Sequence, residues 1–60
     1  MFEIFEVFNT NDERLFFTTD KKSVPPKKKI ETLLSDGHKV KVNGKTLYKK
    51  NISEFLNTLK

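Results

Sequence analysis

Lys39-Val40-Lys41-Val42-Asn43-Gly44-Lys45-Thr46-Leu47-Tyr48 is the stretch whose reading decides the fold. Apolar residues alternate with lysines up to Asn43-Gly44. Asn-Gly between alternating runs is the preferred two-residue type I′ hairpin turn, because both turn positions need positive φ. Placing that turn sets the register: Val42 faces Lys45, Lys41 faces Thr46, Val40 faces Leu47 and Lys39 faces Tyr48. One side of the ribbon is then Val40, Val42 and Leu47. The other is Lys39, Lys41, Thr46 and Tyr48.

Downstream of the hairpin, Ile52, Phe55, Leu56 and Leu59 fall at i, i+3, i+4 and i+7, the apolar stripe of a short helix. Asn51 is placed to cap it, with Glu54 three residues on completing a capping-box-like pair. Upstream, Val24-Pro25-Pro26 cannot be helical before its last proline, and Pro26 suits a first helical position. Ile30, Leu33 and Leu34 make a one-sided stripe, and Gly37 supplies a left-handed cap. Asp20 to Val24 reads as a short connection. Before it, Phe2-Glu3-Ile4-Phe5-Glu6-Val7-Phe8 is dense in aromatic and β-branched residues, a polar turn cluster follows from Asn9 to Glu13, and Arg14 to Thr19 returns as a strand. The expected fold is α+β: a single domain over 1–60 in the order ββαββα, two β-hairpins each followed by a short helix on one side of the strands. It divides into an acidic, Phe-rich hairpin (2–19) and a basic helix-hairpin-helix (26–60).

Sixty residues without cysteine hold no disulfide framework or thiolate site, and a single histidine, His38, builds no metal cluster. No cofactor is expected. Ser23, Ser35 and Ser53 have no base marked nearby, and His38 reads as a strand-start residue. The two glycines, Gly37 and Gly44, answer to backbone conformation and not to a phosphate loop, so no catalytic residue is expected. Asp12 and Glu13 read as solvated turn residues. No apolar run approaches the roughly 20 residues of a membrane span. The start MFEIFEVF carries two glutamates and no basic flank, unlike a secretion signal, so a cytoplasmic protein is expected.

The formal net charge of +4 conceals a division. Residues 1–20 hold five carboxylates against Arg14 alone, whereas residues 21–60 hold eleven lysines against Glu31, Asp36 and Glu54. Such asymmetry points to an anionic partner, most commonly nucleic acid. A lysine-rich, solvated surface accounts for the same composition. Lys27-Lys28-Lys29 is the sharpest local feature, because three cations at a helix N-terminus oppose the macrodipole and nothing in folding requires them. With the N–H groups of that turn they form a candidate anion site, and a run of screened charges is the alternative. Lys39, Lys41, Lys45 and Tyr48 form the second candidate, where a ring could stack on a base while lysines neutralise phosphates. A cross-strand Lys–Tyr pair that merely steadies the hairpin is the plainer reading. Phe2, Phe5, Phe8, Phe16 and Phe17 should mostly be core, with any remainder forming an exposed patch for a protein partner or a homodimer.

From about Ile30 to Leu59 the order of elements resembles the end of small winged-helix proteins such as the excisionases of mobile elements. The residues concerned are Lys39-Val40-Lys41-Val42-Asn43-Gly44-Lys45, Tyr48-Lys49-Lys50 and the helix from Ile52. The resemblance implies DNA binding by the hairpin wing. It stops at a Phe-rich hairpin where that family has a helix–turn–helix, and it supplies no recognition helix. The functional expectation is a non-catalytic basic module that binds nucleic acid through phosphate contacts by Lys27, Lys28, Lys29, Lys39, Lys41, Lys45 and Tyr48, with little sequence readout. Its alternative is a phage- or plasmid-type inhibitor or adaptor docking the lysine face on an acidic protein surface.

Overall fold

The computed structural model describes residues 2–59. The fold is α+β, ββαββα, with a four-stranded antiparallel sheet in the order β2-β1-β3-β4. Its strands are β1 (Phe5–Phe8), β2 (Arg14–Thr18), β3 (Lys39–Val42) and β4 (Lys45–Thr46); its helices are α1 (Lys27–Ser35) and α2 (Ile52–Asn57). The first strands of the two hairpins are antiparallel neighbours at the centre, with Phe5 opposite Val42 and Val7 opposite Val40. The two ββα units therefore meet strand to strand, and both helices cover the same face.

Alternation along the strands decides which residues meet the helices. Phe5, Val7 and Val40 point into the core, where they join Ile30 of α1, Leu47, and Ile52 and Phe55 of α2. Phe5 is the centre of this cluster: its ring stacks on Phe55 at 6.0 Å and meets the edge of Phe16 at 6.3 Å. Full burial of side chains such as Ile30 and Ile52 contributes about 1.5–3 kcal/mol each. Phe2 packs on this core from the N-terminal segment.

The Asn43-Gly44 turn forms in the expected register, Lys41 opposite Thr46 and Val42 opposite Lys45, with positive φ at both turn residues. Leu47 N–H donates to Val40 O, keeping that pair in step, but the ladder stops at Thr46, so the expected Lys39–Tyr48 ladder pair does not form. Helix α1 ends in a Schellman motif: His38 N–H reaches Leu33 O and Gly37 N–H reaches Leu34 O, with Gly37 at φ 89°. Pro26 lies one position earlier than expected, as the N-cap of α1.

Other expectations are corrected. Asn51 makes no side-chain cap on α2. Residues Lys49–Asn51 instead form a 3-10 turn leading into the helix, closed by Asn51 N–H to Tyr48 O. A second 3-10 turn occupies Lys21–Ser23, started by Asp20, whose Oδ1 accepts from Lys22 N–H. Most phenylalanines of the first hairpin are not core. Phe5 alone of the five is fully buried, and Phe16 and Phe17 are 40% and 53% exposed. The physical reason is the strand order: β2 is an edge strand, and the helices cover β1 and β3. Nor is the second hairpin a projecting wing, because β3 is built into the sheet beside β1.

Candidate nucleic-acid interface

Alternation leaves the second face of the sheet without a helix. On β1 this face carries Glu6 and Phe8. Its ladder partners on either side are Phe17 and Lys41 for Glu6, and Arg14 and Lys39 for Phe8. Thr46 lies beyond Lys41. The result is two phenylalanine rings set among three cations on an open surface. Tyr48 follows Leu47 in extended backbone, so the alternation returns it toward this face, and the residue is 60% exposed. A β-bulge between Val7 and Phe8 leaves Leu15 as the extra residue of β2, also largely exposed.

The cations on this face are positioned by local partners. Arg14 Nη1 lies 3.1 Å from Glu6 Oε2, and its guanidinium sits 4.3 Å above the Phe17 ring centroid. Lys41 Nζ is 5.2 Å from the Phe8 ring centroid. Lys39 Nζ donates to Asp12 Oδ1 at 2.7 Å. That hydrogen bond, and then the charge of Lys39 itself, holds the Asp12 carboxyl below the ordinary aspartate value. Asp12 is thus more than a solvated turn residue. Its backbone is left-handed, at φ 63°, inside a turn organised by Asn9, whose Oδ1 accepts from the N–H groups of Asn11 and Glu13. Exposed pairs of this kind contribute little energy, and a stronger anionic ligand can displace them.

The structure does not bring all seven expected residues together. Lys39 and Lys41 share the open face, and Tyr48 follows β4 as an exposed residue beyond the end of the ladder. Lys45 is on the helix side, beside Val42, where it borders a cleft with Leu47, Glu54 and Phe55. Lys27, Lys28 and Lys29 begin α1, also on the helix side. There Lys29 lines an apolar cleft of about 270 Å³ with Val7, Phe16, Pro25 and Leu33. None of these three lysines forms an ion pair with a described carboxylate. Phe8, Arg14 and Phe17 are members of the open face that the sequence reading does not place in the site. The signal for Phe8 is present in the alternation of β1, which puts it on the face opposite Phe5, but the sequence does not say that helices cover one face only.

Among the described residues no group of three His, Cys, Asp or Glu side chains gathers as a metal site. His38 Nδ1 is buried without a hydrogen-bond partner among the described residues. No helix among them is long and apolar enough to cross a membrane. Compared with known proteins, the chain matches no family model, no curated protein and no solved structure.

Proposed function

We propose that the protein is a non-catalytic module that binds single-stranded nucleic acid on the helix-free face of its sheet. The observation that carries this reading is the placing of Phe8 and Phe17 among Arg14, Lys39 and Lys41 on one open surface. Aromatic rings on an exposed sheet stack on unpaired bases, and flanking cations neutralise the phosphates between them. The face is not strongly basic, since Glu6 and Asp12 offset two of its cations. Stacking therefore contributes most of the affinity, and salt dependence is shallow. Lysine supplies most of the protein's positive charge, so readout of bases is weak.

Titration of a fluorescent single-stranded oligonucleotide at several salt concentrations tests the proposal. Two to three neutralised phosphates give a log–log slope of about −1.4 to −2.1 on a single strand. Phe17→Ala and Tyr48→Ala each weaken binding by about 1–3 kcal/mol if the rings stack. Because both rings are exposed, neither substitution alters the melting temperature appreciably. Absence of binding at low salt overturns the proposal.

A second reading, docking on an acidic protein surface, is favoured by one observation. Lys27, Lys28 and Lys29 are unpaired with described carboxylates and begin the helix on the opposite side of the sheet from Lys39 and Lys41, with Lys29 lining the apolar cleft. Under that reading, replacing these three lysines weakens the complex and replacing Phe17 does not.

A further inference from the structure

We infer that the cleft between α1 and β2 seats an aromatic side chain of an acidic partner segment, whose carboxylates pair with the lysines around the cleft. The inference rests on the second reading, docking on an acidic protein, and names the part of that protein which is recognised. Strand order makes the cleft. α1 packs chiefly against β3 and α2, so β2, at the edge beyond β1, has no helix over it. Val7, 3% exposed, lies at the bottom of the gap. Phe16 of β2 forms one wall, backed by the edge contact of its ring with Phe5. Pro25 and Leu33 form the other, with Lys29 one turn before Leu33 on the same side of α1. The accessible lining is apolar throughout, because Lys29 contributes its stem and not its ammonium.

Volume and charge select the occupant. The cleft holds about 270 Å³, just under the roughly 300 Å³ at which pockets for whole small molecules begin, so it suits a single side chain. Phe16 offers a ring, and ring–ring contact adds to area burial, which favours an aromatic anchor. From Lys21 to Lys29 the chain carries Lys21, Lys22, Lys27, Lys28 and Lys29 and no carboxylate. Two of these precede Pro25 in the 3-10 turn and three open α1, so cations flank a lining residue of the cleft on both sides in sequence. None of the five pairs with a described carboxylate, whereas on the open face Arg14 and Lys39 are matched within the chain by Glu6 and Asp12. The other cleft on the helix side selects no anion, because Glu54 lines it together with Lys45. An apolar slot with unmatched cations about it is complementary to a segment in which carboxylates surround one aromatic residue.

Isothermal titration calorimetry of the full chain with a short unlabelled peptide, aspartates around one phenylalanine, tests this at low salt. The wild-type protein is expected to bind it, and to bind a peptide with serine in place of the phenylalanine about tenfold more weakly or worse. Replacing Lys27, Lys28 and Lys29 by Gln should weaken the phenylalanine peptide about tenfold. Replacing Lys45, Lys49 and Lys50 by Gln, the same loss of charge elsewhere, should change its Kd less than about twofold. Circular dichroism checks that both variants are folded. Methyl NMR locates the ring: resonances of Val7 and Leu33 should shift with the phenylalanine peptide, and those of Leu47, in the other cleft, should not. A serine peptide that binds as tightly overturns the inference and leaves docking on an acidic protein standing. Failure of both peptides to bind overturns the two together. Shifts at Leu47 without shifts at Val7, or an equal loss with the two lysine triples, overturn the inference alone. So does displacement of the peptide by a single-stranded oligonucleotide, which would assign these lysines to nucleic acid.

Discussion

Asn43 does two jobs, of which the Asn-Gly signature announces one. Its backbone adopts φ 53°, as a type I′ turn requires. Its Oδ1 accepts from Glu3 N–H at 2.7 Å and Ile4 N–H at 3.0 Å, while its own N–H donates to Ile4 O at 2.8 Å. The turn is thereby joined to the segment leading into β1, about forty residues earlier in sequence. Asn43→Ala should cost about 2–3 kcal/mol, since it loses two accepted hydrogen bonds and strains a left-handed position. Asn43→Gly relieves the strain and should cost less. Equal melting temperatures for Asn43→Gly and the wild type would show that the side-chain bonds contribute nothing. Gly44, at φ 82°, has open space where a Cβ would stand, so Gly44→Val should lose well over about 1 kcal/mol through backbone conformation alone. Asp12 offers a test by pH. Its carboxyl pKa is lowered in the folded state by the hydrogen bond from Lys39. The stability it contributes is complete above the unfolded-state pKa and is lost as pH falls through the folded one. Following that carboxyl by NMR, Lys39→Met should move its pKa upward. An unchanged titration would show that the ion pair is not formed in solution.

At the scale of elements, α1 shows a local sequence at odds with its own helix. Lys27, Lys28 and Lys29 occupy the first turn with no acidic residue and no side-chain cap. Replacing all three by Gln should leave stability unchanged or raise it by tenths of a kcal/mol, because unfavourable charge at the positive end of the dipole is removed. A marked drop in melting temperature would mean that these lysines hold the fold together through partners in solution. Strand β2 is at odds with its surroundings in the opposite sense. Its composition is that of a buried strand, yet every residue from Arg14 to Phe17 is exposed. Periodicity recognises the strand. It cannot recognise that the strand is at an edge, which depends on where β3 pairs. The helix cap expected at Asn51 fails for a related reason: the 3-10 turn at Lys49–Asn51 carries the chain from β4 into α2, so no side-chain cap starts the helix.

At the scale of the whole molecule, the sheet divides the lysines. Those of α1 and Lys45 lie on the helix side, and Lys39 and Lys41 lie on the open side. If the open face binds single strands, Lys27, Lys28 and Lys29 to Gln should leave the salt slope as it is, whereas Lys39 and Lys41 to Gln should flatten it by roughly 1.4. The reverse outcome in the same titration would move the site to α1. What the sequence determined by itself was local: the Asn43-Gly44 turn and its register, the Gly37 helix end, the two apolar stripes and hence the order ββαββα. These follow from φ preferences and side-chain periodicity, which act over a few residues. Only the tertiary structure decided that β1 pairs with β3, that β2 becomes an edge, and that Phe8, Phe17, Arg14, Lys39 and Lys41 share one face. The β1–β3 pairing joins residues more than thirty positions apart. It is selected by how two helices and a sheet together bury Phe5, Ile30 and Ile52, a property no short window of the chain contains.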